Sequence, residues 1–314
     1  KGVMGLAGGL GAHADAVIDH YALTPSDRVL HFAGLAFDVA LEEILPTLLC
    51  GAQLVLRDAA AAGSVAGFLD LVDRHGVSVL NLPASFWHVL VDEMARRRLS
   101  LPASVRLMIT GSERISPRAL AQWQGLAPGL RWINGYGPTE ATITATTYDL
   151  PPGSAGFDPG HEVPIGRPLG HARAWLCAFD GSLTPLGGVG TLWLGGPAVT
   201  GGYLGQPEAT AARFVADPRL RGGRLYDTGD LARWREDGQL MFLGRQDRQI
   251  KLRGHRIDLH QVESVISALP EVRQAHAALI DDGGAPRLVA WLICEESTPD
   301  LTRLRARLGQ RLPG

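Results

Sequence analysis

The sequence predicts an α/β fold: a large N-terminal core of α/β subdomains, a β-barrel-like subdomain, then a small α+β C-terminal subdomain. Three observations predict it. Helix-like and strand-like stretches alternate over about the first 150 residues, the pattern of mostly parallel sheets. Short alternating apolar runs separated by Gly-Gly pairs at 187–188, 195–196, 201–202 and 222–223 mark an antiparallel unit. After Gly244 the pattern changes again, to strands around one helix.

In chain order, 28–32 reads as a strand, 41–49 as a helix and 52–56 as a buried strand. An amphipathic helix over 65–75 leads into a strand over 77–80, and a helix over 85–98 into a strand over 105–110. Residues 130–133 are strand-like, and the Pro/Gly/Asp stretch 151–160 is a surface loop. Within 164–243, the runs 174–178 and 191–194 are short strands. Gln206-Pro207-Glu208 opens a helix reaching 214, with Pro where the first turn tolerates it. In the last part, Ile250 and Leu252 point one way from a strand while Gln249, Lys251 and Arg253 point the other. A helix over about 260–269, strands over 275–280 and 288–294, and a helix from near Asp300 follow. The opening residues imitate an export leader, ending in Ala12-His13-Ala14, but Gly5, Gly8, Gly9 and Gly11 make a poor apolar segment.

Composition narrows the function classes. Glycine supplies 39 of 314 residues, about 12% against a usual ~7%, while 46% of residues are hydrophobic. That combination excludes a disordered, collagen-like or solenoid chain and indicates tight turns. The net charge of −2 gives no electrostatic reason to expect nucleic acid or a membrane surface as partner. No run approaches the roughly 18 apolar residues of a membrane span. Cys50, Cys177 and Cys294 are odd in number and far apart, which fits reduced thiols and a cytoplasmic location.

Four segments can carry chemistry. Asn134-Gly135-Tyr136-Gly137-Pro138-Thr139-Glu140 offers a tight loop with exposed N–H groups, a flat ring, a hydroxyl and a hard carboxylate for phosphate and Mg²⁺; it is also compatible with a plain strand–turn–strand connection. Tyr226-Asp227-Thr228-Gly229-Asp230 places an acid in a turn, where it can hold ribose hydroxyls or simply make a β-turn. The aspartic-protease reading of Asp-Thr-Gly fails, because that chemistry needs a second such motif. Residues 244–257 carry five basic side chains, suiting a solvated strand face; a nucleic-acid patch is disfavoured, because the stretch lacks aromatic interleaving and a basic surround. In Phe37 to Leu45, helical geometry puts Asp38 beside the apolar positions Leu41 and Leu45, and Glu43 on the opposite, solvent-facing side. Asp38 then either awaits a substrate ammonium or caps the helix.

In this order the segments resemble the adenylate-forming superfamily, most closely the amino-acid-activating adenylation domains of nonribosomal peptide synthetases. The matching stretches are 134–147, 195–214, 226–234 and 244–257. The resemblance implies ATP- and Mg²⁺-dependent formation of an aminoacyl adenylate, then transfer to the phosphopantetheine thiol of a peptidyl carrier protein domain beside adjacent synthetase domains of secondary metabolism. It implies that Tyr136 stacks on adenine, that Gly111, Asn134, Gly135 and Phe242 lie at the nucleotide, and that Asp230 and Arg245 hold the ribose. Thr139 and Glu140 contact phosphate and Mg²⁺, and Lys251 and Gly254 enter the site for the second half-reaction. Asp247 is the hinge between an N-terminal core, 1–246, and a mobile subdomain, 247–314. Asp38 holds the substrate ammonium, and Val39, Glu42, Asn81, Met108, Thr110, Gly135, Ile143 and Thr144 line the amino-acid pocket.

Departures qualify the resemblance. Lys1-Gly2-Val3 matches only the tail of the family's phosphate loop, and the lysine expected after Leu312-Pro313-Gly314 is absent, so a piece of a longer protein, weak or inert alone, is expected. Thr191 stands where Glu is usual, and Asp258-Leu259-His260-Gln261 where Glu and Gly are. Glu42 with Asn81 suits a cationic, ornithine-like side chain, while the resemblance equally implies a small one such as cysteine or valine, which related domains with Glu at this place take. An acyl- or aryl-CoA ligase of the same superfamily and a non-catalytic nucleotide-binding remnant are the alternatives.

Overall fold

The computed structural model describes residues 2–57, 64–154, 157–178, 181–219, 222–246, 249–252, 255–267, 272–280 and 286–294. The chain divides after Gly244 into two compact units.

A seven-stranded sheet organises the first. Its strands are β1 (Arg28–His31), β2 (Gln53–Leu56), β3 (Val79–Pro83), β4 (Leu107–Gly111), β5 (Arg131–Tyr136), β6 (Thr146–Leu150) and β7 (Arg167–Pro168), in the order β2-β1-β3-β4-β5-β6-β7. The first five run parallel, as helix–strand alternation predicts, and β6 and β7 return antiparallel. Helices α1 (Ala7–His20), α2 (Val39–Leu49), α3 (Val65–Arg74), α4 (Ala84–Arg97) and α5 (Pro117–Leu126) accompany it.

Strand alternation splits the core between the two faces. Leu80, Met108 and Trp132 point to one side, where they pack with Phe68 of α3, Trp87 of α4 and Trp123 of α5. Trp87 lies 5.8 Å from Trp123 and 5.6 Å from Trp132, ring centre to ring centre. Truncating such a buried ring costs about 3–5 kcal/mol, so this trio anchors the face. Val29, Val79, Leu107, Ile109 and Ile133 point to the other side, onto Val17 of α1 and the Tyr21 that ends it.

Two of these helices are additions to the sequence reading. In α5, Ser116 Oγ accepts the Ala119 N–H at 3.4 Å and Pro117 occupies the first turn, a standard start signal. The leader-like opening is in fact α1. One of its glycines serves packing: a Cβ on Gly9 would sit 3.1 Å from the Pro197 carbonyl oxygen and 3.3 Å from Ala198 Cα.

Asp27 ties α1 to the sheet. It is buried, and both its oxygens take Arg106 at 2.7 Å, while Ser78 Oγ and the Thr24 N–H donate at 2.7 and 2.8 Å. Arg106 in turn donates to the carbonyls of Tyr21 and Ala22. Burial alone would raise the Asp27 carboxyl, but the Arg106 and Ser78 bonds prevail and lower it to about 2. A carboxyl depressed in the fold adds stability above its unfolded value near 4, and that stability is lost as pH falls toward 2. Asp27→Asn is therefore expected to cost on the order of 1–2 kcal/mol at pH 7, allowing for the half-open Arg106, and to flatten the acid limb of the stability curve. Urea titrations at pH 7 and pH 3 check this; equal losses at both would contradict it.

The barrel-like unit is a five-stranded antiparallel sheet. Its strands are β8 (Arg173–Cys177), β9 (Val189–Gly195), β10 (Phe214–Ala216), β11 (Arg224–Trp234) and β12 (Leu240–Arg245), in the order β10-β11-β9-β8 with β12 on β11. Helix α6 (Pro207–Arg213) begins on its proline, as read from the sequence. Leu176, Leu192, Leu194, Ala232 and Leu240 pack against Ala141 and Ala145, which follow β5, so this sheet backs the loop beyond β5.

The second unit contains the hairpin β13 (Gln249–Leu252) and β14 (His255–Asp258), helix α7 (Leu259–Ser267), and the hairpin β15 (Val272–Ile280) and β16 (Arg287–Cys294). Leu259, Val262 and Ile266 of α7 pack on Val272 and Ala277. Buried Glu263 accepts the Ala277 N–H at 2.7 Å, fastening helix to strand. The helix expected from Asp300, the hinge Asp247 and Gly254 lie outside the described residues.

Candidate functional site

The site is built at the C-terminal ends of the parallel strands, where α/β sheets open their crevices. Strand β5 runs on through Asn134 and Gly135 to Tyr136, further than the 130–133 read from the sequence. The chain then doubles back so tightly that a Cβ on Gly137 would meet the Ile143 carbonyl oxygen at 2.0 Å. A single 3₁₀ turn, Thr139–Ala141, follows. Thr142 and Ile143 then both take left-handed backbone conformations, φ 58° and 71°, which β-branched residues disfavour. Thr142 Oγ1 donates to the Ala198 carbonyl at 2.5 Å and helps hold them there.

This loop gathers the residues expected at a nucleotide. The Tyr136 hydroxyl donates to Asp230 Oδ2, and its ring centre lies 6.4 Å from that of Phe242 at 40°. Asp230 owes its position to an irregularity in β11, whose register on β9 shifts between Asp227 and Leu231. There Asp227 Oδ1 accepts the Gly229 N–H, and Thr228 Oγ1 accepts the Asp230 N–H while donating to the Leu192 carbonyl. Glu140 is buried; its Oε1 takes the Tyr203 hydroxyl at 2.7 Å and its carbonyl the Thr200 N–H at 2.9 Å. Thr139 beside it is exposed. Asn134 supports the loop from below, donating to the Pro164 carbonyl at 2.8 Å, and Gly111 pairs with Gly135 across the sheet. Tyr203 is a member that sequence reading missed; a tyrosine after a Gly-Gly pair carries no local signal.

The second cluster surrounds the start of α2. Asp38 occupies the N-cap position, half-buried, and its side chain makes no capping bond to the helix. Val39 next to it is also half-buried. One turn on, Glu42 is 4% exposed. Its Oε1 accepts the Tyr21 hydroxyl and the Asn81 amide, each at 3.1 Å, and its Oε2 lies 3.0 Å from His13 Nε2. Burial would raise the Glu42 carboxyl, but His13, Thr144 and Tyr21 outweigh it and hold the group below its usual range. Burial and the Glu42 charge push the Tyr21 phenol well above its ordinary value. Thr144 borders Gly135, while Thr110 Oγ1 donates to the Ile133 carbonyl at 3.4 Å. Ile143 is buried, and Met108 is fully buried in the main cluster, on the face of Leu80 rather than that of Asn81.

Glu43 corrects the sequence reading. It is not solvent-facing but 1% exposed. Its carboxyl accepts the Phe32 and Ala33 N–H groups at 3.0 and 3.1 Å and lies 2.7 Å from His31 Nδ1. Burial, the leading cause, pushes it up to about 8. The side of α2 assigned to water instead closes over the end of β1. Arg245 and Lys251 belong to the second unit, where Lys251 pairs with Arg256 in the β13–β14 hairpin. Among the described residues, no group of three His, Cys, Asp or Glu could hold a metal, and no helix is long and apolar enough to cross a membrane.

The α/β sheet thus ends in an aromatic–carboxylate loop backed by an antiparallel sheet. The chain belongs to the AMP-binding enzyme family, whose model matches residues 1–204. It is 40% identical over 307 residues to the isonitrile lipopeptide synthase of Streptomyces coeruleorubidus, covering 96% of this chain and 20% of that protein. Among solved structures it is similar to IdnL1, with 28% identity and TM-score 0.88, covering 99% of this chain and 64% of that one. It is also similar to holo-PA1221, described as a nonribosomal peptide synthetase protein containing adenylation and PCP domains, with 28% identity and TM-score 0.80 over 90% of this chain and 48% of that one. The chain thus spans a fifth of the synthase and less than two thirds of either structure.

Proposed function

We propose that the protein containing this chain activates an amino acid with ATP and passes it to the phosphopantetheine thiol of a carrier-protein domain. The observation that carries this reading is the joining of Tyr136, Asp230 and Phe242 in one cradle, with Glu140 four residues beyond Tyr136 on the same loop. These residues fit a Mg·ATP substrate. A ring pair suits a purine, and a carboxylate fixed in a strand irregularity suits ribose hydroxyls. Glu140 would supply one hard oxygen to Mg²⁺, an ion that usually takes its remaining ligands from phosphate and water. The synthetase relatives and the adenylation–carrier architecture of PA1221 support the carrier step.

In this reading a substrate carboxylate oxygen attacks the α-phosphorus, and the bond to pyrophosphate breaks as the new P–O bond forms. The chain's own part is positioning and charge placement. Asp38 holds the α-ammonium, Val39 and Gly135 border the substrate, and the exposed Thr139 faces the phosphates.

The test is ATP–pyrophosphate exchange by the full-length parent across a panel of amino acids and their des-amino analogues. Exchange that depends on the α-amino group is the expected result. Equal exchange with des-amino acids would transfer the site to acyl or aryl substrates, and ATP binding without exchange by any acid would overturn the reading.

A further inference from the structure

Glu42 is the one acidic residue among the proposed pocket positions beyond Asp38, and a histidine already lies against its carboxylate. His13 comes from α1. Its Nε2 lies 3.0 Å from Glu42 Oε2, and its Nδ1 lies 3.4 Å from His171 Nε2. Burial and the neighbouring His13 push His171 down to about 4, so it remains neutral and can accept. Nε2 of His13 thus stands at ion-pair distance from the carboxylate, and its Nδ1 faces the ring of His171. Glu42 Oε1 is occupied as well, by Tyr21 and Asn81.

A cationic substrate side chain would have to displace His13 from the same carboxylate, or place a second positive charge against it with no water to screen the two. Space points the same way. Glu42, Asn81, Ile143 and Thr144 are all below 10% exposed, while Asp38, Val39 and Gly135 remain half-buried. Little solvent therefore reaches the Glu42 end of the proposed pocket.

We propose that His13 is a specificity-determining positioning residue: by neutralising Glu42 it makes the site select an amino acid with a short, uncharged side chain and reject a cationic one. This rests on the amino-acid-activation reading above.

The experiment is ATP–pyrophosphate exchange by the full-length parent with alanine, serine, cysteine and valine against ornithine and lysine. The short neutral group is expected to exceed the cationic pair at least tenfold. His13→Ala, and the milder His13→Gln that keeps a donor without the charge, should shift the ratio toward ornithine or lysine by about tenfold. Glu42→Gln in the His13→Ala background should erase that gain. A wild-type preference for ornithine or lysine, or a ratio unmoved by both His13 variants, overturns the proposal. Should no amino acid support exchange, the activation reading fails, and the pairing itself is read from melting of this chain. His13→Ala is then expected to lower Tm by roughly 5–15 °C, and adding Glu42→Gln to recover most of it. Additive losses would overturn the neutralisation.

Discussion

Asp38→Ala is expected to reduce amino-acid-dependent ATP–pyrophosphate exchange in the parent protein by roughly two to three orders of magnitude, with little change in melting temperature. Losing one partner of a desolvated charge pair costs about 2–5 kcal/mol, and each 1.4 kcal/mol is tenfold in rate. The small effect on folding follows from geometry: Asp38 stands at the head of α2 without capping it, so its removal takes no cap from the helix. The helix dipole favours an anion at that end. Steady-state exchange kinetics with the best amino acid and its des-amino analogue decide the matter. A variant keeping more than a tenth of wild-type exchange would remove Asp38 from its role.

The second large effect is expected at Asp230. Asp230→Ala should raise the KM for ATP by about 10- to 100-fold while leaving the KM for the amino acid within about twofold, because hydrogen bonds to a charged group are worth about 1.5–3 kcal/mol each. The Tyr136 hydroxyl loses its acceptor at the same time, so Tyr136→Phe should show a smaller rise of the same kind. The split between the two KM values is the informative readout. A general loosening of the fold would move both, and a parallel rise would assign Asp230 to scaffolding alone.

Much of this site is legible in the sequence because its chemistry is local. The turn at Gly135 to Pro138 needs glycine and proline wherever it occurs, and the Asp-Thr-Gly-Asp run makes its own Asx turn through Asp227 and Gly229. The parallel strands were readable because buried strands are continuous apolar runs. What escaped depends on contacts distant in sequence. Helix α1 was hidden by its glycines, of which Gly9 makes a close approach to Pro197 and Ala198, far along the chain. With α1 unseen, His13 and Tyr21 could not be placed against Glu42. Glu43 was misassigned because a helical wheel supposes one dry face and one wet one, whereas α2 contacts α1, β1 and β2.

The paired left-handed residues Thr142 and Ile143 matter for redesign. Ile143 is at once a proposed wall of the amino-acid site and a side chain in a conformation its own shape resists. Selection pressure at this position would therefore act through two channels. Glycine or asparagine there eases the backbone while emptying the wall; valine keeps most of the wall and inherits the strain. A mutant library randomised at 143 and scored by turnover alone would confound the two. Scored jointly for turnover and melting temperature, it separates variants that reshape the cavity from variants that only relax its hinge of backbone.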